Sequence, residues 1–299
     1  MKKIWLLAGT LMGLGILLFI LRSSSHSVLM SAIVPKETLT PEKTIQYEER
    51  TLPQAVVRSL LIPSHSRFLV TPALSAHVNT VEEFAQKHPS IAIVNGGFFD
   101  PINQKTTSVV VIQGKLVADP KQNERLVNNP DLKPYLGKIL NRTEFRQYIC
   151  GQTSRYDIVL HSQPTPTGCQ LVDALGAGPM ILPELTLVQE GFLDRLNKRD
   201  ALGSTQPNAR TAVGITHDGS VILVMVAQKS NGGGGMSLPE LANYMKSLGA
   251  EKAMNLDGGS SSSLYYKGKS FYGKAGEQGH FIKRPVKSVL LVQELDSDK

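Results

Sequence analysis

Residues 237–262 read SLPELANYMKSLGAEKAMNLDGGSSS and carry two patterns that recur in this chain. The first, SLPE at 237–240, is a capping box, in which a Ser hydroxyl and a Glu carboxylate bind backbone N–H groups at the start of a helix. Apolar residues then recur at helical spacing until Gly249, a residue typical of helix ends. The second is the polar, glycine-rich segment 255–262, which follows an apolar run. The stretch therefore predicts an amphipathic helix and a polar loop.

Outside this stretch, strand signals outnumber helix signals. A second capping box at Thr80 predicts a short helix through Lys87. Runs of β-branched residues, with turn signals at 113–114 and 218–219, predict strands at 91–94, 109–112, 115–117, 158–160, 211–216, 221–227 and 288–292. The predicted fold class is therefore α+β, with mixed β-sheets and a few helices in a single catalytic-type domain behind an N-terminal hydrophobic segment.

Composition predicts three regions along the chain. Residues 1–27 form a signal anchor or signal peptide, residues 28–64 a polar lead-in or stalk, and residues 65–299 the domain. The lead-in is predicted because its prolines interrupt any periodicity. Residues 119–147 are polar and contain several Pro and Asn, which predicts an insertion or lid over the domain.

The N-terminus predicts export. Lys2 and Lys3 precede an uncharged, largely apolar run over residues 4–21, and 18 residues make roughly 27 Å of helix, close to the thickness of a bilayer core. This length favours a retained membrane anchor over a cleaved signal peptide. The weak positive bias before the run favours an extracytoplasmic body, periplasmic or at the cell surface, or secreted if the segment is cleaved.

The charge balance argues against nucleic acid as a partner. The formal charge is +7, and setting aside Lys2, Lys3 and Arg22 leaves +4 for the exported part. Lys and Arg form no long run and aromatic residues are few, so a basic stripe with stacking platforms is missing. Oligomeric state is open at this level.

The two cysteines, Cys150 and Cys169, are predicted to form a disulfide because they lie in an exported portion, the alternative being two unrelated buried thiols. Structural zinc needs four ligands, so no metal or cofactor is predicted. Asp100 and Asp257 offer hard oxygen ligands that a divalent cation accepts, but no spaced Asp-x-Asp loop supports such a site.

Four short segments share one design, in which an apolar run ends in polar residues beside glycines. They are NGGFFD at 95–100, GAGP at 176–179, NART at 208–211 and NLDGGSSS at 255–262. Each segment alone is more often a tight turn. Their occurrence together in one domain indicates a site, because glycine lets a ligand approach the backbone closely.

Several of these motifs resemble the phosphodiester glycosidase family, which includes the enzyme that uncovers mannose 6-phosphate on lysosomal proteins by removing N-acetylglucosamine from a phosphodiester. The resemblance rests on NGGFF at 95–99, RTAVG at 210–214 and the stretch 237–260, and extends over roughly 65–295. It implies a sugar-containing substrate. Ser260 departs from the pattern, since a third glycine is expected there, which puts the family's own specificity in doubt at this position.

The chemistry of such a substrate assigns roles to particular residues. Cleavage of a sugar C1–O–phosphate bond builds positive charge on the ring and releases a good leaving group. Arg210 is the candidate to bind two phosphate oxygens through its guanidinium group; the alternative is that it pairs with a core carboxylate. Asp257 either activates water or stabilises the oxocarbenium-like state, or else caps its turn. Asp100 and Glu184 are unranked candidates for a second carboxylate.

The remaining candidates are predicted to bind substrate. Backbone N–H groups and hydroxyls contact phosphate or sugar oxygens, and amides orient the ring substituents. This set comprises Asn95, Gly96, Gly97, Thr211, Asn255, Gly258, Gly259, Ser260 and Ser261. Phe98 and Phe99 are assigned to the core.

The expected function is hydrolysis of a sugar-1-phosphodiester bond, of the N-acetylglucosamine type, in envelope or exopolysaccharide material. The alternative is a non-catalytic carbohydrate-binding or exopolysaccharide-assembly protein on the same scaffold.

Overall fold

The computed structural model describes residues 43–230 and 233–295. The strands in chain order are β1 (Gln46–Thr51), β2 (Val56–Ile62), β3 (Phe68–Asn79), β4 (Ala92–Asn95), β5 (Val110–Ile112), β6 (Lys115–Ala118), β7 (Thr143–Cys150), β8 (Thr153–Leu160), β9 (Cys169–Gly176), β10 (Met180–Leu182), β11 (Leu193–Asp194), β12 (Arg199–Asp200), β13 (Arg210–Thr216), β14 (Val221–Ala227), β15 (Ala250–Asn255), β16 (Ser263–Tyr266), β17 (Lys269–Tyr272) and β18 (Val286–Glu294). The helices are α1 (Val81–Lys87), α2 (Glu124–Val127), α3 (Leu136–Ile139) and α4 (Leu238–Ser247).

Three large sheets form the domain. Their strand orders are β1-β2-β14-β13-β15-β10, β17-β16-β4-β18-β3 and β6-β5-β9-β7-β8, and β11 and β12 form a separate hairpin. The predicted α+β class, rich in strands and poor in helices, is confirmed. Every ladder between the described strands is antiparallel, so the sheets are antiparallel rather than mixed.

The core lies on both faces of the six-stranded sheet. Strand β14 is buried along its whole length, and its side chains alternate between two clusters because successive residues of a strand point to opposite faces. Leu223 joins a cluster that also contains Val94 and Leu175 from the other two sheets. Ile222 faces the opposite way and packs in the cluster that includes Leu241 of α4. One strand thus links the sheet core to the helix.

The elements predicted from local signals are present. Both capping boxes form, at Thr80 with Glu83 and at Ser237 with Glu240. The hairpin over 110–118 and the hairpin over 210–227 also form, as β5–β6 and β13–β14. Local hydrogen bonding decides these elements, so their residues are sufficient to predict them.

The stretch assigned to the lead-in is in part a component of the domain. Strand β2 pairs with β14 over seven residues, and Val57 and Leu60 are buried. Pro53, taken as a sign of irregular chain, lies in the turn between β1 and β2. The domain therefore begins well before residue 65, and the described part of 28–64 contributes two strands to the largest sheet.

The polar stretch 119–147 also corrects the sequence interpretation. Short helical turns occupy it up to about residue 140, but residues 143–147 begin the buried strand β7. This strand was missed because Glu144 and Arg146 are charged, and charged residues usually lie on the surface. In the structure the two side chains form a buried ion pair of 2.6 Å.

The predicted disulfide is confirmed. Cys150 and Cys169 are joined and face each other in the β7–β9 ladder. In residues 43–230 and 233–295, no helix is long and apolar enough to cross a membrane. The predicted anchor over residues 4–21 lies outside the described residues.

Candidate active site

The four segments, three of which contain glycine, meet at one edge of the fold. Strands β4, β9 and β15 end there and β13 begins there. The segments are joined by backbone hydrogen bonds, with Asp257 N–H donating to the Gly96 carbonyl at 3.0 Å and Gly178 N–H to the Asn255 carbonyl at 3.1 Å. The segments that share this pattern in the sequence are therefore contiguous in the structure.

Asn95 holds this edge together from inside. Its buried amide nitrogen donates to the Asp257 carbonyl at 2.6 Å. Its oxygen accepts the Thr211 hydroxyl at 2.7 Å and the Ser263 N–H at 3.0 Å. Asn95 and Thr211 therefore position the Asp257 loop, and the predicted contact of Asn95 with sugar substituents is replaced by contacts within the protein.

Asn255 is buried as well. Its amide nitrogen donates to the carbonyls of Leu256 at 2.6 Å and Gly178 at 3.2 Å. Its side-chain oxygen has no hydrogen-bond partner in the described chain. Asn255 thus ties the Asp257 loop to the Gly178 segment.

Asp257 is the titratable group of the loop. One carboxylate oxygen accepts the Gly258 N–H at 2.9 Å. Burial raises the pKa of Asp257 to about 6, although hydrogen bonds from Ser261 and Gly258 and the charge of Arg284 act in the opposite direction. A carboxylate with this pKa exchanges protons near neutral pH, which is the property required of a general base.

Arg284 was not singled out by the sequence. Its Nη1 donates to the Ser260 hydroxyl at 3.4 Å, and its Nε is buried without a hydrogen-bond partner in the described residues. Val289 of β18 faces Asn95, so residues that precede β18 extend beyond the end of β4, beside the Asp257 loop. The sequence interpretation assigned no motif to Arg284, and the pairing of β18 with β4 brings it to the site.

Arg210 does not have its predicted role. The side chain is 2% exposed, and four donations engage the guanidinium with carbonyl oxygens, those of Met236 (3.0 Å), Leu202 (3.1 Å), Gly203 (2.9 Å) and Gln206 (3.1 Å). Burial lowers the pKa of Arg210 to about 10, against the attraction of Asp200. Arg210 therefore secures the 202–206 loop rather than binding phosphate, and no carboxylate of the described residues forms a hydrogen bond with it.

The proposed second carboxylates are also placed elsewhere. Asp100 accepts the Ile102 N–H at 2.8 Å and pairs with Arg125 at 2.7 Å. Although burial acts to raise the pKa of Asp100, these two partners hold it below its usual range. Glu184 is exposed in the turn after β10. In the described structure neither carboxylate contacts Asp257.

Glu190, close to Gly178, is a buried carboxylate that the sequence interpretation missed. It accepts the Thr143 N–H at 2.8 Å, the Thr143 hydroxyl at 2.6 Å and the Met180 N–H at 2.9 Å. A Cβ at Gly178 would lie 2.2 Å from its Oε2. Glu190 therefore fixes the Gly178 segment, and glycine is required there for close contact.

The backbone N–H groups predicted to bind substrate are used within the protein. Gly96 and Gly97 donate to the carbonyl and hydroxyl of Ser288, at 2.8 and 3.1 Å. Gly258 donates to Asp257, and Gly259 donates to the Ala209 carbonyl at 2.8 Å. The glycines serve packing instead, since a Cβ at Gly97 would lie 2.2 Å from the Gly176 carbonyl oxygen.

A cleft opens beside the Asp257 loop. Asn208, whose amide nitrogen approaches Gly259, accepts a hydrogen bond from Lys274 Nζ at 3.4 Å. Lys274 in turn lines a cavity of about 1000 Å³, together with Gln228, Ser230, Gly233 and residues 275–279. In the described ranges no group of three or more His, Cys, Asp or Glu side chains is arranged to hold a metal ion.

Comparisons with known proteins identify the family and the fold. A sequence model of the phosphodiester glycosidase family matches residues 88–293, and the chain belongs to this family. No curated protein sequence matches the chain. The fold is similar to the catalytic domain of zebrafish N-acetylglucosamine-1-phosphodiester alpha-N-acetylglucosaminidase, auto-inhibited by a pro-peptide, with a TM-score of 0.63, 18% identity and coverage of 86% of this chain and 85% of that one.

Two bacterial structures show the same likeness. A putative exported protein from Burkholderia pseudomallei K96243 has a TM-score of 0.58 at 17% identity, with 80% of this chain and 74% of that chain covered. A hypothetical protein from Synechocystis has a TM-score of 0.55 at 17% identity, with 83% of this chain and 62% of that chain covered. At these identities the structures support the fold alone.

Proposed function

We propose that this protein hydrolyses a sugar-1-phosphodiester, of the N-acetylglucosamine type. The observation that carries the proposal is the proximity of Asp257, whose pKa is raised to about 6, to the charge of Arg284, whose buried Nε has no hydrogen-bond partner in the described residues. The family membership and the activity named for the zebrafish relative support this substrate class.

The proposed reaction breaks the bond between the sugar C1 and the phosphate oxygen. Water attacks C1, Asp257 takes the proton from the water, and the bond electrons leave with the phosphate, which departs as a phosphomonoester. A phosphate needs little protonation to leave, so a single carboxylate is sufficient in this scheme. Arg284, with the Ser260 hydroxyl, stabilises the negative charge of the leaving phosphate.

The cleft lined by Lys274 is proposed to hold the rest of the substrate. It is large enough for a sugar-sized group beyond the phosphate. Envelope or exopolysaccharide material is the proposed source, because the disulfide indicates an oxidising compartment and the sequence predicts export through residues 4–21, as a membrane anchor or a cleaved signal.

A second candidate function is glycan binding without turnover, as a carbohydrate-binding or exopolysaccharide-assembly protein. The observation that favours it is the lack of any contact between Asp257 and a second carboxylate in the part of the chain described.

One experiment separates these functions. The full chain is incubated with the methyl diester of N-acetylglucosamine-1-phosphate, and released N-acetylglucosamine is measured for wild type, Asp257→Asn and Glu184→Gln. We expect release by wild type and by Glu184→Gln, and none above background by Asp257→Asn. Equal release by wild type and Asp257→Asn would remove Asp257 from its role, and glycan binding without release by any form would favour the binding function.

A further inference from the structure

Arg142 and Arg199 lie close enough for their charges to repel each other, and the guanidinium carbon of Arg142 lies 5.7 Å from the centroid of the Phe98 ring. Arg142 Nε donates to the Glu190 carbonyl at 3.2 Å, and Arg199 Nε donates to the carbonyl of the next residue, Gly191, at 3.4 Å. Each guanidinium group is thus bound through its Nε to one of two consecutive carbonyl groups. The Nη groups of both arginines take no part in these bonds.

Aromatic rings stack against the guanidinium planes of both arginines. The guanidinium carbon of Arg142 lies 3.7 Å from the centroid of the Phe192 ring, and that of Arg199 lies 4.7 Å from the Tyr135 ring. Stacking and a fixed Nε bond reduce the freedom of an arginine side chain, so the remaining donors are preorganised.

Carboxylates lie near this pair without forming an ion pair with it in the described residues: the charge of Glu190 attracts Arg142, and Asp194 lies opposite Arg199 in the β11–β12 ladder. Both arginine side chains are half-buried, and in the described part of the chain neither forms an ion pair or an Nη hydrogen bond. Burial lowers the pKa of Arg142 to about 9, and repulsion from Arg199 adds to this effect while Glu190 opposes it. Two neighbouring positive charges partly removed from water are unfavourable unless an anion offsets them.

The nearby acids have other partners. Glu190 accepts hydrogen bonds from Thr143 and Met180. Asp194 accepts the Tyr135 hydroxyl at 2.9 Å, and Asp200 accepts the N–H and hydroxyl of Ser204 at 2.7 and 2.8 Å. In the described chain none of these carboxylates forms an ion pair with Arg142 or Arg199, although Asp194 lies opposite Arg199 in the β11–β12 ladder.

We infer that Arg142 and Arg199 form a second oxyanion site, separate from Asp257 and Arg284, that binds a phosphate group. Phosphate is the matching chemistry because two guanidinium forks supply two positive charges and several donors to one dianion with three acceptor oxygens. The inference does not rest on the proposed hydrolysis, since binding at this site requires no turnover.

The test is binding of inorganic phosphate to the full chain, measured by calorimetry at low salt in chloride buffer. All proteins carry Arg284→Gln, so that the candidate active site contributes little. Arg199→Gln is compared with Arg195→Gln, an exposed arginine of the same hairpin that removes the same charge. We expect Arg199→Gln to weaken binding about tenfold or more, the loss of one charge-assisted hydrogen bond, and Arg195→Gln to change it less than twofold.

Arg142→Lys is the second variant, because it retains the charge and loses the fork. We expect a similar weakening, with circular dichroism and the unfolding midpoint confirming that the protein is folded. Equal effects of Arg199→Gln and Arg195→Gln, or no phosphate binding by the Arg284→Gln protein, would overturn the inference. Glucose 6-phosphate and glucose are also tested, to identify the source of the phosphate. If glucose 6-phosphate binds as tightly as inorganic phosphate and glucose does not, the site takes a sugar-borne phosphate. If inorganic phosphate alone binds, the ligand is the free ion.

Discussion

Arg210 and Arg284 lie at the same edge of the fold and differ in what their guanidinium groups contact. Arg210 stands in a recognisable motif, and carbonyl oxygens of residues 202–206 and 236 engage its donors. Arg284 lies outside the motifs identified from the sequence, contacts the Ser260 hydroxyl and retains a buried donor without a protein acceptor in the described chain. The difference indicates that unsatisfied hydrogen-bonding capacity, rather than motif membership, distinguishes a group available to substrate from one that supports the fold.

The largest effect is expected for Asp257→Asn. Asparagine keeps the size of the side chain and cannot take a proton from water, so we expect kcat to fall by about a thousandfold or more on a sugar-1-phosphodiester. Asp100→Asn, which removes a carboxylate paired with Arg125, should leave kcat within about threefold. A similar loss in both variants would contradict the assignment of Asp257.

Arg210→Gln should act on stability rather than on chemistry. Its removal leaves buried carbonyl groups without donors, so we expect the free energy of unfolding to fall by about 3–5 kcal/mol in urea denaturation. At a temperature where the variant is folded, kcat/KM should stay within a few-fold of wild type. A folded Arg210→Gln protein with a selective loss of phosphate-bearing substrate would restore the phosphate role to Arg210.

Arg284→Gln should lower activity rather than stability. We expect kcat/KM to fall by about a hundredfold, since a charged donor to the leaving phosphate is lost, with an unfolding midpoint close to wild type. Arg284→Lys should recover part of the activity because the charge is kept while the fork is lost. If Arg284→Gln unfolds as readily as Arg210→Gln, the contrast between the two arginines fails.

The disulfide extends the comparison to a region remote from the site. Strand β9 runs from Cys169 to Gly176, so the bridge lies at the opposite end of the strand from the Gly176 segment. Replacing both cysteines with Ser should lower the free energy of unfolding by about 2 kcal/mol, through the entropy of the unfolded chain. Activity of the folded variant at 25 °C should be unchanged, and a large loss would show that the bridge also positions the site.

The smallest predicted effect is that of pH on Asp257. The carboxylate must be ionised to act as a base, so kcat/KM should rise about tenfold between pH 5 and pH 7 and level off above its pKa of about 6. Because the folded pKa lies above the unfolded value, Asp257 contributes stability at low pH that is lost as pH rises through about 6. Asp257→Asn should flatten that component of the stability profile. A profile identical in both proteins would contradict the raised pKa.

Local signals predicted much of the fold. Capping boxes at Thr80 and Ser237 and the turns of two hairpins involve residues close in sequence, and all are present. Several strands were not predicted, among them the long β3, and β2 and β7 illustrate the cause, since their evidence is non-local. The first is stabilised by pairing with β14, far along the chain, and the charges of the second are paired in the interior.

The amino-acid sequence by itself determined the strand-rich class, the family, the disulfide pair and the four polar segments, one of which includes Asp257. The tertiary structure decided which of their polar groups are engaged. Gly96 and Gly97 donate to Ser288, Arg210 donates to carbonyl oxygens, and Arg284 arrives beside Ser260 through the pairing of β18 with β4. The physical reason is that a donor is satisfied by the acceptor nearest in space, and for these residues that acceptor is set by the packing of distant segments.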